Sequence, residues 1–152
     1  MFPAGRHLPH LRELNLEGVE EQYGLRLAAP EGSRLVSCCP GLQSLNMENL
    51  FYSDAKQLAP LTRLTGLHTL NFAFAVSEAK CPDVMQCLCE LTGLRELVLE
   101  GNGAVQADGL LLQLTRLQQL TRLVYNQYSV KEVSAPLASV GCSVIMPAQS
   151  TA

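Results

Sequence analysis

The chain contains no tryptophan, and aromatic residues make up only 5% of it. Stacking platforms for single-stranded nucleic acid are therefore scarce. No charge of one sign dominates: 11 Lys and Arg stand against 14 Asp and Glu, a formal net charge of -3. Nucleic-acid partners, which want a clear basic excess, are not expected. No apolar run approaches the ~20 uninterrupted residues of a membrane-spanning helix. The opening stretch MFPAGRHLPHLREL lacks the apolar segment after a basic start that marks a secretory leader. A soluble cytoplasmic protein without a membrane partner is the expectation.

Motifs that carry chemistry are also missing. His7 and His10 are three apart and Cys87 and Cys89 two apart, but nothing completes the four-ligand set of a zinc site. The glycines of EGNGAVQADG are not followed by Lys and Ser or Thr, so they form no phosphate cradle. His68 could in principle serve a cysteine nucleophile, yet no local motif orients such a pair. No metal, cofactor or catalytic residue is assigned, and the chain is not expected to be an enzyme. The cysteines at 38, 39, 81, 87, 89 and 142 invite a disulfide reading. Without a secretory signal that reading loses its support, and free, mostly buried thiols are expected.

What the sequence does have is leucine at fixed intervals. Around the anchors Leu14, Leu45, Leu70, Leu97 and Leu123, four columns align. Six residues before each anchor stand Leu8, Cys39, Leu64, Leu91 and Leu117; three before it stand Leu11, Leu42, Leu67, Leu94 and Leu120. Two after it stand Leu16, Met47, Phe72, Leu99 and Tyr125. The anchors are separated by 31, 25, 27 and 26 residues, room for one strand, one short helix and two turns. Such self-similarity marks a repeat architecture.

The spacing assigns the elements. Side chains two apart lie on one side of an extended strand, so Leu97 and Leu99 face inward and Val98 outward. Intervals of three, as in Leu58, Leu61 and Leu64, suit a helical or 3₁₀ turn, with Ser53 and Asp54 as candidate caps. One unit cannot cover its own apolar face, so neighbours must stack with parallel strands joined by helical crossovers. The fold class expected is α/β: a solenoid with a curved parallel sheet of about five short strands on its concave side and short helices and turns on its convex side. Residues 1–152 form a single domain, with repeats over 8–128 and an irregular end over 129–152, where Val144 and Met146 suit a last inward pair. Residues 28–34, with AAPEGSR, are expected to bulge as a loop. Pro82 fits the first turn of the helix before the fourth strand.

The segment LTGLRELVLEGN, with Leu94, Leu97, Leu99 and Asn102, resembles the leucine-rich repeat consensus. Weaker copies begin at Leu11, Leu42, Leu67 and Leu120, where the consensus Asn is replaced by Val19, Leu50, Ala75 and Tyr128. The step lengths, CCPGL and FYSDAKQLAPL resemble the intracellular, cysteine-containing or F-box-associated type. The resemblance implies a non-catalytic protein-protein interaction module. Two narrower roles are the substrate receptor of a ubiquitin ligase and a cytoskeletal or axonemal scaffold; an enzyme using the concave face is a distant third.

Alternation names the face that would meet a partner. Before the anchors lie Glu13, Ser44, Thr69, Glu96 and Arg122; after them lie Asn15, Asn46, Asn71, Val98 and Val124. Glu17, Glu48 and Glu100 continue outward. An acidic strip with an asparagine ladder is expected, suited to a basic patch or peptide, with Phe74, Val98 and Val124 adding apolar contact. Neither end shows a polar cap, so the chain is expected either to be a fragment of a longer array or to bury an exposed end, in a partner or by end-to-end self-association.

Overall fold

Where the ladder's spacing tightens to two, a strand forms, and each strand lies beside the next in sequence. The computed structural model of the chain describes residues 7–16, 29–47, 55–74, 81–101, 112–126 and 141–145. It shows an α/β arrangement built on one six-stranded sheet in the order β1-β2-β3-β4-β5-β6. The strands are β1 (Glu13–Asn15), β2 (Ser44–Met47), β3 (Thr69–Phe74), β4 (Glu96–Gly101), β5 (Arg122–Asn126) and β6 (Ser143–Ile145). Every pairing is parallel, and the anchors fall in register: Leu14, Leu45, Leu70, Leu97 and Leu123, continued by Val144.

Parallel neighbours need a crossover. Between β1 and β2 the described part is helix α1 (Ala29–Cys38), and between β3 and β4 it is helix α2 (Cys81–Cys89). Between β2 and β3, and again between β4 and β5, it is 3₁₀ helix: Ala55–Gln57 with Ala59–Arg63, then Gln113–Arg116. Full and tight helical turns thus alternate along the layer. Leu35, Val36, Leu61, Val84, Met85, Leu88 and Leu114 from this layer share one apolar cluster with the strand ladder. Among the described residues no polar or charged residue belongs to that core.

The repeat is also written in the backbone. The column three before the anchor donates its N–H to the column six before it: Leu11 to Leu8, Leu42 to Cys39, Leu67 to Leu64, Leu94 to Leu91 and Leu120 to Leu117, at 2.9 to 3.2 Å. The first four strands then begin with one carbonyl receiving two amides of the following repeat. Arg12 accepts from Gln43 and Ser44, Gln43 from His68 and Thr69, His68 from Arg95 and Glu96, and Arg95 from Thr121 and Arg122. These bonds absorb the polar backbone of the turns that lead into the sheet.

Three expectations change. The sheet has a sixth strand, β6, inside the stretch taken as irregular; Val144 packs against the core there, and Met146 lies outside the described residues. The loop expected at 28–34 is instead the start of α1. Pro30 sits in its first turn, where a missing N–H costs no helical bond, and Leu35, Val36, Cys38 and Cys39 bury the following face. The full ladder is not uniformly buried: Leu8 is 51% exposed, and Leu11 and Leu14 are half-buried, because no repeat covers that side among the described residues. The helix before the fourth strand does carry Pro82 in its first turn, whereas Ser53, Asp54 and Asn102 lie outside the described residues.

Candidate functional site

The sheet face opposite the ladder carries the variable residues, and strand register sets them in rows. The first row runs Glu13, Ser44, Thr69, Glu96, Arg122 and Ser143 across six adjacent strands. The second runs Asn15, Asn46, Asn71, Val98, Val124 and Ile145. Strand separation of ~4.8 Å fixes the spacing along each row. The second row divides in the middle: amides on β1 to β3, aliphatic side chains on β4 to β6. Asn15 is exposed while Asn46 and Asn71 are half-buried, and the Asn71 side-chain oxygen is buried. Val98 and Val124 are half-buried, and Ile145 is 41% exposed.

Among the side chains described on this face, the carboxylates are those of Glu13 and Glu96. Glu96 pairs with Arg122 on the neighbouring strand, which neutralises one of the carboxylates the strip would need. Arg12 borders the first row and donates to the Gly41 carbonyl at 2.8 Å, and Arg95 borders it as an exposed cation. Glu17 and Glu48 lie outside the described residues, as do the side chains of Phe74 and Glu100. By register Phe74 stands opposite Gly101. Ile145 was missed by sequence reasoning. The alternation that puts Val144 inward would have found it.

The helical side offers two shallow grooves. One, of about 270 Å³, lies between the 3₁₀ turns and α2, with Lys56, Asp83, Gln86, Cys87 and Glu90 among its walls. The other, of about 430 Å³, is bordered by Gln86, Cys89, Glu90, Thr92 and Arg116. Neither favours a reactive thiol. Burial pushes Cys87 up from the ordinary thiol range, and the Glu90 and Asp83 carboxylates push the same way. Burial also raises Cys89, against a smaller opposing effect of Arg116, and its thiol donates to the Gln113 carbonyl at 3.2 Å. Cys39 and Cys142 are raised by burial as well. A thiol held protonated is a poor nucleophile and a poor metal ligand. The cysteines whose side chains are described, 38, 39, 87, 89 and 142, form no disulfide, and among the described residues no cluster of His, Cys, Asp or Glu could hold a metal ion. No described helix is long and apolar enough to cross a membrane. No protein-family model matches this sequence, and no curated protein matches it either.

Proposed function

We propose that the chain is a leucine-rich-repeat solenoid of the intracellular kind, with its sheet lining the concave side of an arc, and that the outward sheet face holds another protein without catalysing a reaction. The curvature follows from size: strands stack at ~4.8 Å while helices are ~10 Å across, so the helical layer takes the longer, convex path. One observation carries the functional reading. The residues that vary from repeat to repeat are collected on one face in straight rows, while the invariant leucines are spent on the core. Such rows offer a partner a rigid surface whose side chains are already positioned, which limits the ordering cost of binding. The aliphatic half around Val98 and Val124 supplies the apolar contact, and the amide half and the Glu96–Arg122 pair supply register.

The test is to identify a partner by affinity purification and then measure its binding, purified, to two sets of variants. Val98→Arg with Val124→Arg on the sheet face should weaken it at least about tenfold, the scale of one lost apolar contact. Lys56→Glu with Arg116→Glu on the helical side should leave it unchanged. The opposite pattern would move the interface to the helical grooves and overturn the reading.

A further inference from the structure

Five tight turns lead the chain into β1 to β5, and because those strands are parallel the turns all lie at one end of the sheet. Each is closed by an amide-to-carbonyl bond, from Leu11 to Leu8 in the first through Leu120 to Leu117 in the fifth. Successive turns also approach one another. A Cβ placed on Gly41 would stand 2.6 Å from the Pro9 oxygen, one on Gly66 3.8 Å from the Leu42 oxygen, and one on Gly93 3.0 Å from the Thr65 oxygen. The first four turns therefore form a continuous rim along the beginnings of the strands.

This rim is charged unlike the rest of the chain. Of the ten residues that flank the five turns, Arg12, Arg63, Arg95 and Arg116 are cationic, His7 and His68 are histidines, and Glu90 alone is acidic. The remaining chain holds 7 of the 11 Lys and Arg but 13 of the 14 Asp and Glu. Stabilisation of helix ends does not account for the difference. Cations favour a helix C-terminus, yet α1 and α2 have no basic residue in their last turns, and Glu90 follows α2 directly. Arg12 and Arg95 stand beyond the turn, on the approach to a strand. Arg12, Arg63 and Arg95 are exposed, and neither Arg63 nor Arg95 forms an ion pair among the described residues. Glu13 and Glu96 follow Arg12 and Arg95, but they belong to the first outward row, where Glu96 is taken by Arg122.

We propose that this rim, centred on Arg63 and Arg95, is a docking strip for an extended acidic segment of a protein partner. Charge complementarity selects that occupant. The planar fork of a guanidinium takes a carboxylate through two parallel hydrogen bonds, and every Lys or Arg at the flanking positions is an arginine. Neighbouring strands are ~4.8 Å apart and an extended segment advances ~3.3 Å per residue, so about six residues cross the five turns. A nucleic acid fits less well. A long polyanion would run past the rim onto a remainder in which carboxylates outnumber cations, whereas a short acidic segment ends within it. Arg116 contributes least, since it borders the same groove as Glu90. The strip lies at the strand beginnings and not on the outward rows, so it is a second site and stands independently of what those rows hold.

The experiment is fluorescence anisotropy of a labelled hexaglutamate peptide titrated with the 152-residue chain in about 0.15 M salt, where exposed charges more than about 8 Å apart are largely screened. Binding should saturate and should weaken as salt is added. Arg63→Glu with Arg95→Glu should weaken it at least about tenfold. Arg34→Glu with Lys56→Glu, an equal change of charge on the helical layer, should alter it less than about twofold. If circular dichroism shows that the reversed rim variant has lost its fold, Arg63→Gln with Arg95→Gln replaces it, with a loss of at least about threefold expected. No hexaglutamate binding up to about 1 mM protein overturns the proposal, as does an equal loss in the rim and helical-layer variants. Tighter binding of a thymidine oligonucleotide with six phosphates, or of phosphatidylserine vesicles, lost in the rim variant, would give the rim to a nucleic acid or a membrane and overturn it too. Salt-sensitive self-association lost in that variant would give it to a second copy, with the same result.

Discussion

The first repeat and the two central ones use the same residue at the same positions with different results. Leu14 is half-buried, while Leu70 and Leu97, in its column, are 0% exposed. The side chain, its strand and its register are alike. What differs is the number of covering neighbours among the described residues: β3 and β4 each have a strand on both sides, and β1 has one. A ladder leucine is thus made a core residue by the repeats beside it, not by its own repeat. Stability in such a stack is nearly a sum of units and nearest-neighbour interfaces, and the end units hold one interface fewer.

The comparison is broken most directly by truncating the same column at both places. Leu97→Ala should destabilise the chain by about 3–4 kcal/mol, from lost transfer energy plus a cavity that neighbours on both sides keep from collapsing. Leu14→Ala should cost about 1–2 kcal/mol, since part of the side chain already meets solvent. Urea unfolding monitored by circular dichroism measures both. Equal losses would mean that the β1 side is covered in solution. A native domain is stable by only ~5–15 kcal/mol, so the central substitution removes a large share.

The same contrast explains which parts of the molecule could be read in the sequence. All five anchors, the strand at each, and the outward rows from Glu13 to Arg122 and Asn15 to Val124 follow from side-chain alternation alone, a local rule. β6 was fainter because Val144 and Cys142 carry no leucine signature; spacing offered Val144 as a last inward residue, and the register with Leu123 places it in the ladder. α1 was obscured because Pro30 and Gly32 are common in loops, and the burial of Leu35, Val36 and Cys39 outweighs that local preference. The openness of Leu8 could not be read at all, since it depends on what stands beside the repeat. The Glu96–Arg122 pair was implicit: the two share a column in adjacent repeats, hence neighbouring strands.

A smaller effect, running in the opposite direction, separates three glycines at one repeat position, four residues before the anchors. At Gly41, beside the first repeat, an added Cβ would stand 2.6 Å from the Pro9 carbonyl oxygen and would also meet the Arg12 guanidinium. At Gly93 it would stand 3.0 Å from the Thr65 oxygen and 3.3 Å from that of Leu67, while at Gly66 its nearest neighbour is the Leu42 oxygen at 3.8 Å. Overpacking against backbone cannot be relieved by a rotamer change, so Gly41→Ala should cost about 2 kcal/mol, Gly93→Ala about 1 and Gly66→Ala near zero. The first turn is therefore the tightest in backbone approach although its leucines are the most open. Thermal melts of the three variants rank them; a Gly66→Ala loss as large as that at Gly41 would show that glycine is needed at this position for its flexibility and not for room.

The weakest test concerns charge along the first outward row. Glu96 and Arg122 pair between two interior strands, β4 and β5, with side chains 33% and 46% exposed. Solvent and salt screen such a pair, so a double-mutant cycle with Glu96→Ala and Arg122→Ala should return a coupling of about 0.5 kcal/mol or less, falling as salt is added. At the edge the equivalent cross-strand neighbours are Glu13 and Ser44, which carry one charge between them. Ser44→Arg would rebuild the same pair there with the same register. It should gain less than the interior pair, because Glu13 is exposed and, among the described residues, has no strand on its outer side to restrict its rotamers. If the two couplings are equal, the number of neighbouring strands does not govern the outward face as it governs the core, and the contrast between edge and centre belongs to burial alone.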